Sequence, residues 1–265
     1  MKLAISNIAW STEHDDDMYQ FLRMQGFAGL EVAPTRLFPV SPYKRIEAAV
    51  EFAEKLKTRY GLVIASMQSI WHGRQENIFG SDEERAALID YTKQAVDFSV
   101  AAGCGNLVFG CAKNRNIPDD MNNDPYETAA DFFREITAYA AQQGTIIALE
   151  ANPQIYGTNF INRTEEAFAF VRKVGGKGFA VNLDIGTMVE CNEAVSIIES
   201  NLTLINHIHI SEPHLAQVRR RTLHTELRAL PALAHYGKFI SIEMSNMLDI
   251  EAVKRVVRYV GGIFA

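Results

Sequence analysis

The stretch TIIALEANPQIYGTNFINRTEEAFAFVRKVGGKGFAVNLD (145–184) carries the pattern that decides the fold. It opens on a short apolar run (TIIALE, 145–150), then passes through a polar loop and a helix-length amphipathic segment. It reaches a glycine at Gly178 and closes on a second apolar run (FAVNLD, 179–184). Short runs rich in Val, Ile, Leu and Phe suit strands of a parallel sheet, which is covered on both faces. Two such strands need a crossover, usually helical, to join them. Both runs end in a carboxylate, Glu150 and Asp184.

The same unit recurs in both directions along the chain. LAISN (3–7), GLEVA (29–33), LVIASM (62–67) and NLVFG (106–110) precede it, and INHIHI (205–210) and FISIEM (239–244) follow. Helix-length segments lie between them. One is Asp82–Ala102, with apolar Ala86, Leu88, Ile89, Ala95, Val96 and Val100, and another is Pro125–Gln142. Pro125 suits a first helical turn and Asp124 its cap. Gly26, Gly61, Gly103, Gly144, Gly178 and Gly237 stand where helices stop before the next strand. Eight strands alternating with about eight helices predict an α/β fold, a (β/α)8 TIM barrel forming one domain over residues 1–265. The competing arrangement is an open doubly wound sheet. The loop after the first strand, SNIAWS (6–11), lacks the glycine-rich dinucleotide fingerprint such a sheet often carries.

Composition narrows the partners. A net charge of −6 argues against nucleic acid and against a membrane surface, since both attract a positive field. It still allows a local basic pocket for a phosphate or carboxylate. Cys104, Cys111 and Cys191 are odd in number and have no metal-ligand spacing, so a disulfide framework is not expected and a cytoplasmic location is. The opening MKLAISNIAWSTEHDDD lacks the apolar core of a signal peptide, and no run is long enough to cross a bilayer.

Catalytic groups of a barrel sit at the C-terminal ends of its strands. Reading those ends gives Glu31, Gln68, Phe109, Glu150, Asp184, His209 and Glu243. Strands 5, 6 and 8 each end in a carboxylate and strand 7 in an imidazole. Three carboxylates at one mouth repel and desolvate one another, and a divalent cation removes that cost. Oxygen and imidazole donors suit one Mn, Mg, Co, Fe or Zn ion rather than copper. His207 lies two residues before His209, on the same side of the strand but deeper. It reads as a hydrogen-bonded core histidine rather than a second ligand.

At these residues the chain resembles the xylose-isomerase-like barrel superfamily, in particular its sugar phosphate isomerase/epimerase branch. The resemblance covers essentially the whole chain and rests on ALEANP (148–153), VNLDIGTM (181–188), HIHISEP (207–213) and ISIEMS (240–245). It implies that Glu150, Asp184, His209 and Glu243 ligate one metal. It also implies that Glu150 and Glu243 act as the acid/base pair of a sugar isomerase or epimerase working through an enediolate. In such chemistry one carboxylate takes a proton beside a carbonyl and the other returns one to the opposite face.

Looser matches extend the expected substrate-binding set to Glu31, Gln68, His72, Lys113, Arg115, Glu212 and His224. Glu31 (GLEVAP) and Gln68 (ASMQSIWHG) sit at strand ends, and His72 follows in the next loop. Lys113 and Arg115 (VFGCAKNR, 108–115) can hold a substrate anion or belong to a solvated loop. Glu212 can touch substrate or support a ligand. His224 (RTLHTEL) can serve substrate or a second metal, or face outward from a helix. The basic run Arg219–Arg221 reads as a solvated loop. Trp10, Trp71 and Phe79 can line a sugar face or pack in the core.

One departure stands out. Many members of the family carry a histidine three residues after the strand 6 aspartate, where this chain has Thr187. That weakens the expected sugar contact and also an abasic-site endonuclease reading, which needs further histidines. A dehydratase of a polyol ketone begins with the same proton abstraction and is the main alternative reaction. The expected partner is a small sugar or sugar phosphate, and a homo-oligomer is compatible with the family.

Overall fold

The computed structural model describes residues 1–246 and 248–265. Eight strands alternate with helices: β1 (Lys2–Ser6), α1 (Asp15–Met24), β2 (Gly29–Val32), α2 (Pro34–Leu37), α3 (Ile46–Lys55), β3 (Val63–Met67), α4 (Asp82–Ala101), β4 (Leu107–Phe109) and α5 (Pro125–Gln143). The chain continues through β5 (Ile147–Glu150), α6 (Thr164–Val174), β6 (Phe179–Asp184), α7 (Ile185–Glu190), α8 (Ser196–Glu199), β7 (Ile205–Ile210), α9 (Thr222–Ala229), β8 (Phe239–Ile242) and α10 (Ile250–Phe264). The strands close in sequence order, all parallel, with Ala4 beside Gly29 on one side and Ile5 beside Ile242 on the other. The result is the predicted (β/α)8 barrel, with the open sheet set aside by the β1–β8 pairing.

Local chemistry places the long helices. Ser81 and Glu84 form a reciprocal capping box at the start of α4, and Asp124 accepts the Tyr126 N–H ahead of Pro125 at the start of α5. Buried Leu88, Ala95, Val96 and Phe98 of α4, and Phe132, Phe133 and Ile136 of α5, pack on the outer faces of the strands. Inside the barrel, Gly29 is required by close approach. A Cβ there would come to 2.7 Å from both the Ala65 methyl and the Phe239 ring.

The second half departs from the simple repeat. Short α7 and α8 cover the return from β6 to β7, and the eight-residue α9 precedes β8. β4 is reduced to three residues, and its ladder with β3 has the single registered pair Met67 and Leu107. Further along the strands, the interior turns polar, with buried Ser6, Glu31, Ser66, Asn182, His207, His209 and Ser241. Outside the strands, eight of the described non-glycine residues adopt left-handed backbone: Ser41, Ser69, Cys111, Ile161, Asn192, His214, Leu215 and Leu248. Such conformations cost about 1–3 kcal/mol each and gather where loops are shaped for function. None of the helices among the described residues is long and apolar enough to cross a membrane.

Candidate active site

Four residues from consecutive strands converge at the C-terminal end of the barrel. Glu150 ends β5, Asp184 ends β6, His209 lies on β7 and Glu243 follows β8. One donor atom from each lies within 4.8 Å of all the others. His209 Nδ1 is 3.1 Å from both Glu150 Oε2 and Glu243 Oε2. None of the four is more than 9% exposed, so each carboxylate meets its neighbours with little water between them.

Electrostatics register the crowding. Burial and the Glu150 charge push Asp184 up to about 6. Burial, only partly offset by His209, pushes Glu243 up to about 7. Burial alone would lower His209, but Glu31, Glu243 and Glu150 hold its proton well above the usual range. A cluster that retains protons this tightly binds positive charge, and three carboxylate oxygens with one imidazole nitrogen are the donors a divalent ion accepts.

Behind three of the four donors stands a partner that fixes it. Asp184 caps α7: its Oδ2 accepts the Thr187 N–H at 2.7 Å, and Ser211 Oγ donates to Oδ1. The Thr187 hydroxyl lies 2.9 Å from Asp184 Oδ2 and 2.8 Å from the Ala151 carbonyl. Thr187 is therefore turned away from any substrate and steadies the aspartate. Glu150 accepts from Asn182 Nδ2 at 2.6 Å and from Asn152 Nδ2 at 3.0 Å. His209 turns its second nitrogen to Glu31 Oε2, 2.9 Å away, the carboxylate–histidine arrangement that orients a metal ligand. His207 bonds Ser241 Oγ at 2.8 Å and lies 3.3 Å from the same Glu31 oxygen. Burial lowers its pKa, consistent with a neutral interior histidine. Burial also opposes ionisation of Glu31, but the two histidines overcome it and hold Glu31 far below the ordinary carboxylate range.

A cavity of about 540 Å3 opens over the cluster. Glu150, Asp184 and Glu243 line its base, and Gln68, His72, Lys113, Trp71, Asn152, Tyr156 and Leu215 contribute to its walls. Gln68 is anchored by its amide to Ser6 Oγ at 3.2 Å, whereas His72 and Lys113 are exposed. Gly110 also lines the cavity, and a Cβ there would press on Glu150 Oε1 at 3.1 Å.

Four other members of the expected substrate-binding set lie behind this wall. Glu31 is sealed beneath His209 with no exposed surface. Arg115 is fully buried and donates to Asn152 Oδ1 at 2.7 Å. Glu212 holds its own loop by accepting from the Arg219 N–H and from Arg221 Nε at 2.7 Å. His224 is buried against the Tyr259 hydroxyl, at 2.9 Å, and burial pushes it down to about 4. Glu31 and Arg115 reach the site only through His209 and Asn152, while Glu212 and His224 are engaged with Arg221 and Tyr259 outside the cavity. Of the three aromatic candidates, Trp71 alone lines the cavity, with its indole N–H bonded to Thr92 Oγ1 at 2.8 Å. Trp10 bonds Asp15, and Phe79 packs on Phe160.

Asn152, Tyr156, Asn182 and Leu215 were not foreseen as site residues. Asn152 was visible inside ALEANP and Asn182 inside VNLDIGTM, each two residues from a predicted ligand. Tyr156 and Leu215 come from irregular loops and are joined there, since Tyr156 Oη accepts the His214 N–H at 2.8 Å.

Comparison with known proteins agrees with this architecture. A family model described as the xylose isomerase-like TIM barrel matches residues 20–260. The 3-keto-D-glucoside 4-epimerase of E. coli superposes with a TM-score of 0.77 at 19% identity, covering 98% of each chain. The D-psicose 3-epimerase of Clostridium cellulolyticum H10, solved with D-tagatose, gives 0.78 at 17% identity, covering 100% of this chain and 98% of its own. A probable 3-DHS dehydratase of Bacillus anthracis gives 0.68 at 15% identity, covering 99% and 98%. No curated protein sequence matches the chain. The match from α1 into α10, on a closed eight-stranded barrel, makes this chain a member of the xylose isomerase-like TIM barrel family.

Proposed function

We propose that the protein is a divalent-metal-dependent isomerase or epimerase of a sugar or sugar phosphate, with Glu150 and Glu243 as its acid/base pair. The observation that carries this reading is the placement of two glutamates, from strands 5 and 8, at the base of one cavity and around one histidine. Glu150, Asp184, His209 and Glu243 would hold a single Mn, Mg, Co, Fe or Zn ion. When bound, that ion supplies Lewis-acid stabilisation of negative charge developing on a substrate carbonyl oxygen.

The remaining work falls to the chain's own side chains. Glu243 presents its carboxylate at the base of the cavity, where it can take a proton from the carbon beside a carbonyl and return one. Glu150, held by two asparagine amides, faces the same space and serves the other side of the substrate. Gln68, His72 and Lys113 offer polar contacts to substrate hydroxyls or to an anionic end, and Trp71 offers an apolar edge. The likeness to two epimerases, a 3-keto-glucoside 4-epimerase and a psicose 3-epimerase, supports this reaction class.

Elemental analysis of the purified protein, followed by incubation with ketoses and ketose phosphates in D2O, tests the reading. Wash-in of solvent deuterium at one substrate carbon is the expected result. Glu243→Gln should stop that exchange while retaining part of the metal. Loss of water from a polyol ketone, seen by mass, would replace the proposal with a dehydratase. Absence of exchange across the panel in metal-loaded protein would overturn it.

A further inference from the structure

Arg115 is the one arginine among the described residues with no exposed surface. No carboxylate stands within ion-pair distance of it among those residues, and its Nε and Nη1 have no hydrogen-bond partner. A guanidinium buried without a partner opposes folding, and an apolar side chain of similar volume would fill the place at no loss. The one polar contact of its side chain is Nη2–H to Asn152 Oδ1 at 2.7 Å. Asn152 in turn donates through Nδ2 to Glu150 Oε1 at 3.0 Å. The Asn152 backbone is pinned on both sides, with its N–H on the Ile161 carbonyl and its carbonyl accepting from Asn162 Nδ2 at 2.7 Å. The side-chain amide also donates through Nδ2 to the Ala151 carbonyl at 3.2 Å, so its orientation is set between that carbonyl, Glu150 and Arg115.

We propose that Arg115 is a positioning residue for the metal cluster, locking the Asn152 amide so that its NH2 faces Glu150. A guanidinium has donors and no acceptor, so it accepts only the orientation in which Oδ1 faces it. The flipped amide would set Oδ1 against Glu150 Oε1, acceptor against acceptor, and would leave a carboxylate oxygen without its donor. The chain Arg115–Asn152–Glu150 thus turns an unfavourable buried charge into directional control of one ligand. This rests on the function proposed above, in which Glu150 binds the ion.

Mn2+ affinity by titration calorimetry, together with the melting temperature of the metal-free protein, tests the proposal in wild type, Arg115→Met, Asn152→Leu and the double variant. Arg115→Met should bind Mn2+ about 10–100-fold more weakly, the usual cost of losing an outer-sphere support. Its metal-free melting temperature should be equal to wild type or higher, which a residue retained for packing would not show. Asn152→Leu should lose a similar factor, and the double variant no more than Asn152→Leu alone. Wild-type affinity in Arg115→Met, or losses that multiply in the double variant, would overturn the inference and leave the proposed function standing. Wild type that takes up none of Mn2+, Mg2+, Co2+, Fe2+ or Zn2+ would sink both. If Arg115→Met does not fold, Arg115→Lys and Arg115→Gln carry the same comparison. Lysine keeps a donor-only head and should bind Mn2+ more tightly than glutamine, whose amide brings a competing acceptor; equal affinities would overturn the inference.

Discussion

Glu31 has no exposed atom, yet the orientation of the His209 ring depends on it. Its Oε2 lies 2.9 Å from His209 Nε2, which fixes Nδ1 toward Glu150 and Glu243. Removing that carboxylate leaves the ring free to turn and both histidines without their shared partner. We expect Glu31→Ala to weaken Mn2+ binding about 10–100-fold by calorimetry. Unchanged affinity would mean that His209 is held by its neighbours alone. The donors themselves should behave more severely. Asp184→Asn and His209→Ala are expected to leave the purified protein depleted in metal by elemental analysis, and full occupancy in both would exclude them as ligands. Thr187 shows how a residue can keep a role at a site while losing contact with substrate. Its N–H and hydroxyl lie 2.7 and 2.9 Å from Asp184 Oδ2. The sugar contact that threonine in place of histidine already put in doubt gives way here to support of Asp184, the proposed ligand beside it.

At the scale of elements, α7 is the piece that converts a strand end into a ligand. It begins where β6 stops, and the residue that ends the strand is also its cap. This junction is tight at Gly186, where a Cβ would lie 2.9 Å from Ser211 Oγ and 3.1 Å from Asp184 Oδ2. Gly186→Ala should therefore push the start of α7 away from β7, costing about 1–3 kcal/mol of stability in denaturant titration. It should also lower metal content together with stability, and a fully stable, fully loaded variant would show that the junction yields without consequence. The strands were legible in the sequence because a buried parallel strand has to be apolar on both faces. All eight segments appear, β6 and β7 with the expected bounds and the other six shifted by a residue or two at their ends. The proposed ligands were legible for a related reason, since Glu150, Asp184, His209 and Glu243 interrupt apolar runs where nothing else explains a polar group. Glu31 was read from the same pattern but misplaced, because strand position alone does not say whether a carboxylate faces the cavity or a neighbouring histidine. Arg115, Glu212 and His224 lie on loops or a short helix, where no periodicity tells a buried side chain from a solvated one. Tyr156 and Leu215 are brought to the cavity by loops containing left-handed residues, whose course depends on tertiary packing rather than local sequence.

For the whole molecule, the cluster ties metal binding to proton binding and to stability. The folded-state values of Asp184, about 6, and Glu243, about 7, lie above their ordinary 3.8 and 4.5. Groups raised in this way favour the fold at low pH, and their contribution disappears as pH rises through the folded values. His209, raised above 6.5, acts in the same direction. Glu31, held low, stays ionised from pH 5.5 to 8 and adds no slope there. His207 and His224, both lowered, oppose this trend below pH 6.5. His224 meets Glu212 and Arg221 rather than the cluster, so its effect is common to the metal-free and metal-loaded protein and cancels in the difference, whereas His207 feels Glu150 and His209 and titrates with the cluster. A divalent ion binds the deprotonated ligands and must displace whatever protons they retain. The gain in melting temperature on adding Mn2+ should therefore be small at pH 5.5 and grow through pH 6 and 7 to pH 8. With Mn2+ at about a hundredfold excess over its dissociation constant at pH 8, the ion should contribute about 2.7 kcal/mol. For a chain of this size that corresponds to roughly 5–10 °C in differential scanning calorimetry. A gain that is the same at pH 5.5 and pH 8 would mean that the ion does not displace protons from these carboxylates. Binding elsewhere on the barrel would then account for the gain, and the four-residue ligand set would have to be abandoned.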